Sequence, residues 1–422
     1  MRKTLNQRKY LNVQERRELK MDTISLASSL RIGDKTAQNR IVNQPMECND
    51  ADAVGNPTDR TLTRYRNLAK GGAGIIIVES MTITYESRAR KTQLRISEET
   101  APHLERLVRE MKAVNPDPLI LFQITHSGRV SHQDFSKAVS TYPTGDPSVH
   151  ILTCEEIEEI GALFADAALI AKQVGADGLD FKQCHGYLCA EMLRPANTRE
   201  DRFGKTFENR TRFFRETSQK IRRLVGSGGF LLGVRFSIYE GIPGGFGTSG
   251  PGEVIEDLTE PLAFAKMTEE CGMDYINVSA GVPGMNIEFM KTTHNFPEGV
   301  YRHFGWTKVM KASVTIPVIG SAYSYLSDGE NGLYGPDPGE KSFLYWANKN
   351  LMNGNVDFVG IGRQSLADPL FAKKILADCG ADIHYCRACG GCTRLLVAQR
   401  AVGCAIYDPY YKKILQDVSR RS

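Results

Sequence analysis

The feature that most constrains the fold of this chain is a regular alternation of short apolar runs with longer amphipathic segments. Eight runs have the length of buried strands, and helix-length stretches separate them. They begin near Ile41, Gly74, Pro118, Asp177, Phe230, Asp274, Ile316 and Asp357. Eight strand–helix units predict an α/β fold of the (β/α)8 TIM-barrel class. A doubly wound sheet, the competing fold, would place a glycine-rich turn after its first strand, and Gln44-Pro45-Met46-Glu47 is not such a turn.

The clearest helix prediction runs from Cys154 to Val174. Thr153 precedes it and Glu156 follows three positions later, which is the spacing of a capping box. Gly175 then supplies a stop signal.

Candidate ligand-binding residues, most of them polar or glycine, follow the predicted strands at the ends where barrels of this class bind ligands. They are Pro45, Met46, Gln123, His126, Arg129, Lys182, His185, Tyr187, Arg235, Ser237, Gly320, Gly362 and Arg363. Gly362-Arg363 lies at the last strand, beside the small-residue turn at the seventh. This pair suits a phosphate, because backbone N–H groups and a guanidinium both bind anions.

Four cysteines lie close together near the end of the chain: Cys386, Cys389, Cys392 and Cys404. Three of them recur at every third position, and eleven residues separate the third from the fourth. This spacing predicts the four thiolate ligands of an iron–sulfur cluster. Structural zinc is one alternative, although zinc sites usually show two separated C-x2-C pairs. Free thiols are the other alternative.

Composition bounds the class of protein. The 422 residues carry a net charge of +4, and no apolar run approaches the roughly 18 residues of a membrane span. The first residues lack the apolar core of a secretory signal, so ten cysteines predict a reducing, cytoplasmic environment. Seven basic side chains within the first 20 residues predict a basic arm, either solvated or bound to an acidic partner. No basic stripe interleaved with aromatics supports nucleic-acid binding.

The chain is similar to the old yellow enzyme family of NADH:flavin oxidoreductases from about Leu26 to Asp368. The segments that carry the resemblance are Asn39–Met46, Gly71–Gly74, Gln123–Arg129, Gly175–Gly178, His185–Leu188, Asn197–Gly204, Gly362-Arg363 and Asp368-Pro369. Together with the cysteines, they resemble the branch of 2,4-dienoyl-CoA reductase and trimethylamine dehydrogenase, without its C-terminal dinucleotide-binding domains. That branch binds FMN in the barrel and a [4Fe-4S] cluster beside it. The resemblance implies three regions: a basic N-terminal arm over 1–25, an FMN-binding barrel over 26–380 and a [4Fe-4S]-binding segment over 381–422.

The resemblance also implies roles for individual residues. The predicted cofactor-binding residues are Pro45, Met46, Gln123, Arg235, Gly320, Gly362 and Arg363. Among them, Gln123 and Arg235 would bind the flavin ring, and Gly362 with Arg363 would bind the FMN phosphate. Tyr187 would donate a proton to the substrate, while Lys182 and His185 would polarise it. Lys182 stands where the family usually has a histidine, so it could instead bind the flavin or a neighbouring acid. Cys386, Cys389, Cys392 and Cys404 would hold the cluster.

These roles predict an ene-reductase that passes hydride from reduced FMN to an activated C=C bond. An amine dehydrogenase or demethylase that sends electrons out through the cluster is the first alternative. A non-catalytic electron-transfer subunit is the second. The predicted partners are a small unsaturated substrate and a flavodoxin-like or ferredoxin-like electron donor, with NAD(P)H as an alternative donor. Homo-oligomer formation is left open, and neither nucleic acid nor a membrane is expected as a partner.

Overall fold

The computed structural model describes residues 25–286, 298–326, 342–377 and 382–421, so most of the predicted basic arm lies outside the described residues. Twelve strands occur in this part of the chain. They are β1 (Leu30–Ile32), β2 (Lys35–Ala37), β3 (Ile41–Asn43), β4 (Ile75–Thr82), β5 (Leu119–Thr125), β6 (Val139–Ser140), β7 (His150–Ile151), β8 (Gly178–Gln183), β9 (Leu231–Ser237), β10 (Tyr275–Ser279), β11 (Val318–Gly320) and β12 (Phe358–Ile361).

Eight of these strands form a closed parallel barrel in the order β3, β4, β5, β8, β9, β10, β11 and β12. The last strand closes onto the first through the register Val359 to Ile41, and β3 continues to β4 through Val42 to Ile75. Every predicted strand position corresponds to one of these eight strands. The predicted TIM-barrel class is therefore confirmed.

Helices follow or flank the barrel strands. The α-helices in the described residues are α1 (Asp59–Gly71), α2 (Ala101–Val114), α3 (Cys154–Gln173), α4 (Leu188–Leu193), α5 (Phe207–Arg210), α6 (Arg212–Val225), α7 (Thr259–Glu270), α8 (Gly299–Ser313), α9 (Phe343–Met352), α10 (Arg363–Ala367), α11 (Phe371–Leu376), α12 (Gly391–Val397) and α13 (Pro409–Arg421). The predicted capping box of α3 is present, because Thr153 accepts from the Glu156 N–H and the Glu156 carboxylate accepts from the Thr153 N–H. No helix in these ranges combines the length and apolar character that a membrane crossing requires.

The barrel interior has an apolar layer toward the amino ends of the strands, called the lower layer, and a polar layer toward their carboxyl ends. Apolar residues such as Val42, Leu121 and Tyr275 fill the lower layer together with Ile32 from the β1–β2 hairpin, which plugs the barrel at that end. Along β8 the side chains alternate: Phe181 packs outward against phenylalanines of the surrounding helices, while neighbouring polar residues face inward. This alternation brings charged side chains to the carboxyl ends of the strands.

The C-terminal segment, which contains α12 and α13, packs against the loop that follows β3. The Val402 N–H donates to the Cys48 carbonyl at 2.8 Å, and the Asn49 side chain donates to the Arg400 carbonyl at 3.2 Å. Cys48, Leu395 and other apolar residues form a small core between the two parts. The four clustered cysteines are therefore held beside the open end of the barrel.

Candidate active site

A cavity of about 400 Å³ opens at the carboxyl ends of the barrel strands. Nine of the ten residues predicted to be catalytic or to bind the cofactor line it: Pro45, Met46, Gln123, Lys182, His185, Tyr187, Arg235, Gly362 and Arg363. The tenth, Gly320, lies at the end of β11, and the two residues after it, Ser321 and Ala322, line the cavity instead. Helix α12 forms part of the wall through Cys392, Thr393, Leu396 and Val397. The cavity thus joins the barrel to the cysteine-rich segment.

Glu47 is the hub of the charged side chains in this cavity. Lys182 Nζ donates to Glu47 Oε1 at 2.9 Å, and the Tyr187 hydroxyl donates to the two carboxylate oxygens at 2.9 and 3.1 Å. Arg90 Nε lies 3.3 Å from Glu47 Oε2. The Lys182 ammonium also lies 3.5 Å from the centre of the Tyr187 ring. One carboxylate is therefore shared by two cations and a phenol.

This arrangement fixes the protonation of both acids. Burial alone would raise the pKa of Glu47, but the charges of Lys182 and Arg90, together with its hydrogen bonds, lower that pKa to about 2. Burial and the Glu47 charge raise the pKa of Tyr187 well above its usual value. Glu47 is therefore an anion at neutral pH and Tyr187 keeps its proton, as a general acid must.

His185 approaches the cavity from the turn that links β8 to α4. Its Nε2 lies 2.8 Å from the Ser279 hydroxyl at the end of β10. His185 has a φ of 67°, and Ala322, which also lines the cavity, has a φ of 76°. Left-handed backbone at residues other than glycine costs free energy, and such strain concentrates at functional sites.

A buried polar network forms the cavity floor. Gln123 donates to Asp180 Oδ1 at 2.6 Å and accepts from the Ser80 hydroxyl. Asn277 donates to Asp180 Oδ2 at 3.1 Å. Burial raises the pKa of Asp180, although the Arg235 charge opposes that shift. Arg235 Nε is buried and has no hydrogen-bond partner among the described residues, so a donor is available where a flavin ring would lie.

The opposite end of the cavity is formed by the turns after β11 and β12. The Ser324 hydroxyl accepts from the Gly362 N–H at 2.9 Å and from the Gln364 N–H at 3.3 Å. A Cβ atom on Gly362 would lie 2.9 Å from the Met46 sulfur, so the flexible Met46 side chain would have to shift to admit a larger residue. Small residues and the Arg363 guanidinium therefore surround this end.

A second buried acidic cluster lies behind the cavity, next to Cys48. Arg64 pairs with Asp50 at 2.9 Å and with Glu79 at 2.5 Å, and Glu79 also accepts from the Cys48 N–H at 2.7 Å. Burial raises the pKa of Glu79 to about 7; the Arg64 charge opposes this shift and the Asp50 charge adds to it. In this cluster a single cation serves two carboxylates.

The clustered cysteines act on one another through their charges. The pKa of Cys386 is raised to about 11, first by burial and further by Cys392 and Cys404, against the opposing charge of Arg363. Burial also raises the pKa of Cys404, and Cys389 and Cys392 add to that shift. Within the described ranges, no three His, Cys, Asp or Glu side chains converge as ligands of a single metal ion. The iron–sulfur cluster therefore stays a prediction.

Sequence reasoning missed the partners of Lys182. Glu47 enters the sequence analysis only as part of the turn after the first strand, and Arg90 does not enter it. Glu47 and Arg90 lie on different loops, and nothing in their spacing indicates that they meet. Asp180 was also missed, although a charged residue inside a strand, two positions before Lys182, is a signal for an inward-facing polar side chain.

Comparison with known proteins gives consistent matches. The family described as NADH:flavin oxidoreductase / NADH oxidase matches residues 25–323. NADH oxidase of Thermoanaerobacter brockii is 31% identical over 382 residues, which cover 87% of this chain and 53% of that protein. N,N-dimethylglycine/sarcosine dehydrogenase of Chromohalobacter salexigens is 30% identical over 387 residues, which cover 87% of this chain and 50% of that protein.

A solved structure of 2-naphthoyl-CoA reductase with 2-naphthoyl-CoA superimposes with a TM-score of 0.76 at 24% identity, covering 93% of this chain and 58% of that one. At this identity the likeness supports the fold alone. The chain spans about half the length of the curated relatives named here. The family match covers most of the barrel and includes Gln123, Lys182, Tyr187 and Arg235. This chain belongs to the NADH:flavin oxidoreductase / NADH oxidase family.

Proposed function

We propose that this flavoenzyme is an ene-reductase that acts on activated C=C bonds. The observation that carries the proposal is a protonated phenol, Tyr187, held in the flavin-family cavity beside Lys182 and His185. A carbonyl or carboxyl group that activates an alkene needs hydrogen-bond donors or cations beside it. Reduction of the double bond also needs a proton donor. The three side chains supply both requirements at one wall of the cavity.

The residues around the cavity fit FMN. The unpartnered Arg235 Nε would bind the ring, Gln123 lies on the same floor, and Pro45 and Met46 form the wall beside it. Gly362 and Arg363 would hold the phosphate, with Gly320 supporting the adjoining turn. Bound FMN supplies a hydride donor for the β-carbon of the alkene.

Tyr187 holds the proton for the α-carbon on its hydroxyl. Glu47 accepts that proton in a hydrogen bond and keeps the phenol oriented. After the proton leaves, the phenolate would be repelled by Glu47 but attracted by Lys182, whose ammonium lies 3.5 Å from the ring centre. Glu47 thus keeps Tyr187 protonated at rest, and the neighbouring cations offset part of the cost of deprotonation.

The cysteine-rich segment would carry the [4Fe-4S] cluster on Cys386, Cys389, Cys392 and Cys404. The charges of these thiols interact, which indicates that they lie near one another, and this proximity supports the donor set. Ala388 and Gly390 both have positive φ values, so the backbone turns sharply between successive cysteines. Four thiolates with Cys392 on the cavity wall suit single-electron transfer to the barrel. The electron donor would be a flavodoxin-like or ferredoxin-like protein, with NAD(P)H as the alternative.

The relationship to N,N-dimethylglycine/sarcosine dehydrogenase favours a second candidate, an amine dehydrogenase. Such a site would bind a cationic or zwitterionic amine. Among the described residues, the cavity wall carries four cations, Arg90, Lys182, Arg235 and Arg363, and one carboxylate, Glu47. This balance repels a cation, so it favours the ene-reductase.

The deciding experiment uses protein purified without air. A visible spectrum with iron and sulfide analysis reports flavin and cluster together. Flavin oxidation is then followed after the reduced protein is mixed with an enone or an unsaturated acid, and flavin reduction after the oxidised protein is mixed with sarcosine. We expect rapid oxidation by the alkene. Reduction by sarcosine without oxidation by any alkene would replace this proposal by the amine dehydrogenase.

A further inference from the structure

The C-terminal segment carries a concentrated positive charge. Residues 382–421 contain seven Arg and Lys residues against three Asp residues. This excess of four equals the net charge of the whole chain, which is +4. Less than a tenth of the residues therefore carries a net charge as large as that of the whole chain. A surface on which charge of one sign is concentrated steers oppositely charged partners toward it.

Four cations of this segment take no part in the ion pairs of the described residues. Arg394, Arg400, Lys412 and Lys413 are exposed, and none has a carboxylate within salt-bridge distance among the described residues. In contrast, Asp408 is half-buried and accepts from the Tyr410 N–H at 2.9 Å, next to the start of α13. The positive charge thus faces solvent, while a nearby acid serves the local structure.

Exposed apolar groups lie on the same two helices. Val397, at the end of α12, is 73% exposed, and Tyr410, at the start of α13, is 44% exposed. Arg60 of the barrel helix α1 stacks on the Tyr410 ring at 3.6 Å from its centre, which extends the positive surface onto the barrel. Apolar contact points surrounded by charged side chains are typical of transient protein interfaces. We call the surface of Arg394, Arg400, Lys412, Lys413, Val397 and Tyr410 the basic face.

The basic face lies close to the redox path of the proposed enzyme. Cys389 is exposed next to α12, and Cys392, Leu396 and Val397 of the same segment line the cavity. Helix α12 therefore reaches from solvent to the cavity wall, and a helix is only about 10 Å thick. A protein docked on this face would approach both the cysteines and the cavity.

We propose that the basic face docks a small acidic protein that carries single electrons, of the flavodoxin kind. This inference rests on the proposed function and adds to it the place of electron entry. Reduction of one C=C bond takes two electrons and two protons, so two singly reduced carriers must dock in turn for each turnover. Exchange of carriers requires a weak, salt-sensitive interface, and exposed charges provide this.

The test measures binding of an acidic flavodoxin to the holoenzyme by calorimetry at rising NaCl concentrations. The variant Arg394→Glu/Arg400→Glu reverses two charges on the basic face. The matched control, Lys220→Glu/Lys266→Glu, reverses two exposed charges on α6 and α7, across the barrel. Each protein is also assayed for alkene reduction with reduced methyl viologen, a small donor that needs no docking surface.

We expect the wild-type protein and the control to bind flavodoxin with an affinity that falls steeply with salt. The basic-face variant should bind at least tenfold more weakly at low salt while its viologen-driven turnover stays at the wild-type level. Absence of binding by the wild-type protein, or equal weakening in the control, would overturn the docking proposal. Loss of viologen-driven alkene reduction in the wild-type protein would instead count against the proposed reaction.

Discussion

Glu47 and Glu79 lie on either side of Cys48, and their surroundings are opposite. Glu47 is one carboxylate between two cations, Lys182 and Arg90, whereas Glu79 shares the single cation Arg64 with Asp50. The pKa of Glu47 is lowered to about 2, because its cations outweigh the effect of burial. The pKa of Glu79 is raised to about 7, because burial outweighs Arg64. The balance of charge around a buried acid, more than burial itself, decides its protonation.

The largest expected effect is on turnover, and it distinguishes the tyrosine beside Glu47 from the tyrosine beside Glu79. Tyr187→Phe removes the proposed proton donor at Glu47 and should slow alkene reduction by about 10²–10⁴-fold. Tyr65→Phe is the control, since the Tyr65 hydroxyl accepts from the Glu79 N–H at 2.8 Å in the second acidic cluster. Steady-state turnover with a fixed alkene, together with FMN content, checks both variants. Unchanged turnover in Tyr187→Phe would remove this residue from the donor role.

The next effect concerns stability. Arg64→Met leaves Asp50 and Glu79 buried without their cation, and removal of one partner from a buried ion pair costs about 3–5 kcal/mol. Denaturant unfolding at neutral pH measures the loss. Arg66→Met, one position from Tyr65 on the exposed side of α1, should change stability by less than about 1 kcal/mol. A loss for Arg64→Met no larger than that control would show that the acidic cluster tolerates an unpaired state.

A smaller effect appears in the pH profile. In Glu47→Gln, the repulsion between Glu47 and the Tyr187 phenolate is gone, while Lys182 and Arg90 remain. The pKa of Tyr187 should fall, so the basic limb of the kcat profile should move down by about one pH unit or more. Glu79→Gln should leave that limb in place. An unchanged basic limb in Glu47→Gln would mean that Glu47 does not control the pKa of the Tyr187 phenol.

The smallest effect is the pH dependence of stability. An unfolded glutamate has a pKa of about 4.3, whereas folded Glu79 has a pKa of about 7. Between these values the unfolded chain has already lost the proton that the folded chain keeps, so raising the pH from 5 to 7 destabilises the wild-type protein. Glu79→Gln should flatten this slope.

Glu47→Gln is the matched comparison for that slope. In the wild-type protein, the folded pKa of Glu47 is about 2, below that of an unfolded glutamate. The charge of Glu47 therefore stabilises the fold fully above the unfolded pKa, and this stabilisation is lost as the pH falls toward 2. It therefore adds no slope between pH 5 and 7, and thermal midpoints at several pH values test both variants. A slope that survives in Glu79→Gln would show that another group causes it.

The sequence was sufficient for the fold because the signal is local and repeated. Each buried strand is a short apolar run, and parallel strands must meet at one end of a closed barrel. The same rule explains why residues such as Gln123, Tyr187 and Arg363, far apart in the chain, line one cavity. Their catalytic and cofactor-binding roles stay predictions.

The charge pairing could not be predicted in the same way. Lys182 lies on a strand, whereas Glu47 and Arg90 lie on loops whose paths depend on tertiary packing. Whether Lys182 meets substrate or a neighbouring acid was left open, and the structure shows the acid. The thiol arrangement was inferred from spacing alone, because ligand spacing survives in the sequence while the loop geometry does not.

The wall that α12 contributes to the cavity has a consequence for how such enzymes diversify. Leu396 and Val397 contact the ligand space from a segment outside the eight-strand scaffold. Exchange of this short helix between homologous proteins would reshape one side of the pocket without disturbing any strand. Substrate selectivity and electron transfer into the cavity would then change together, because the same helix contributes to both.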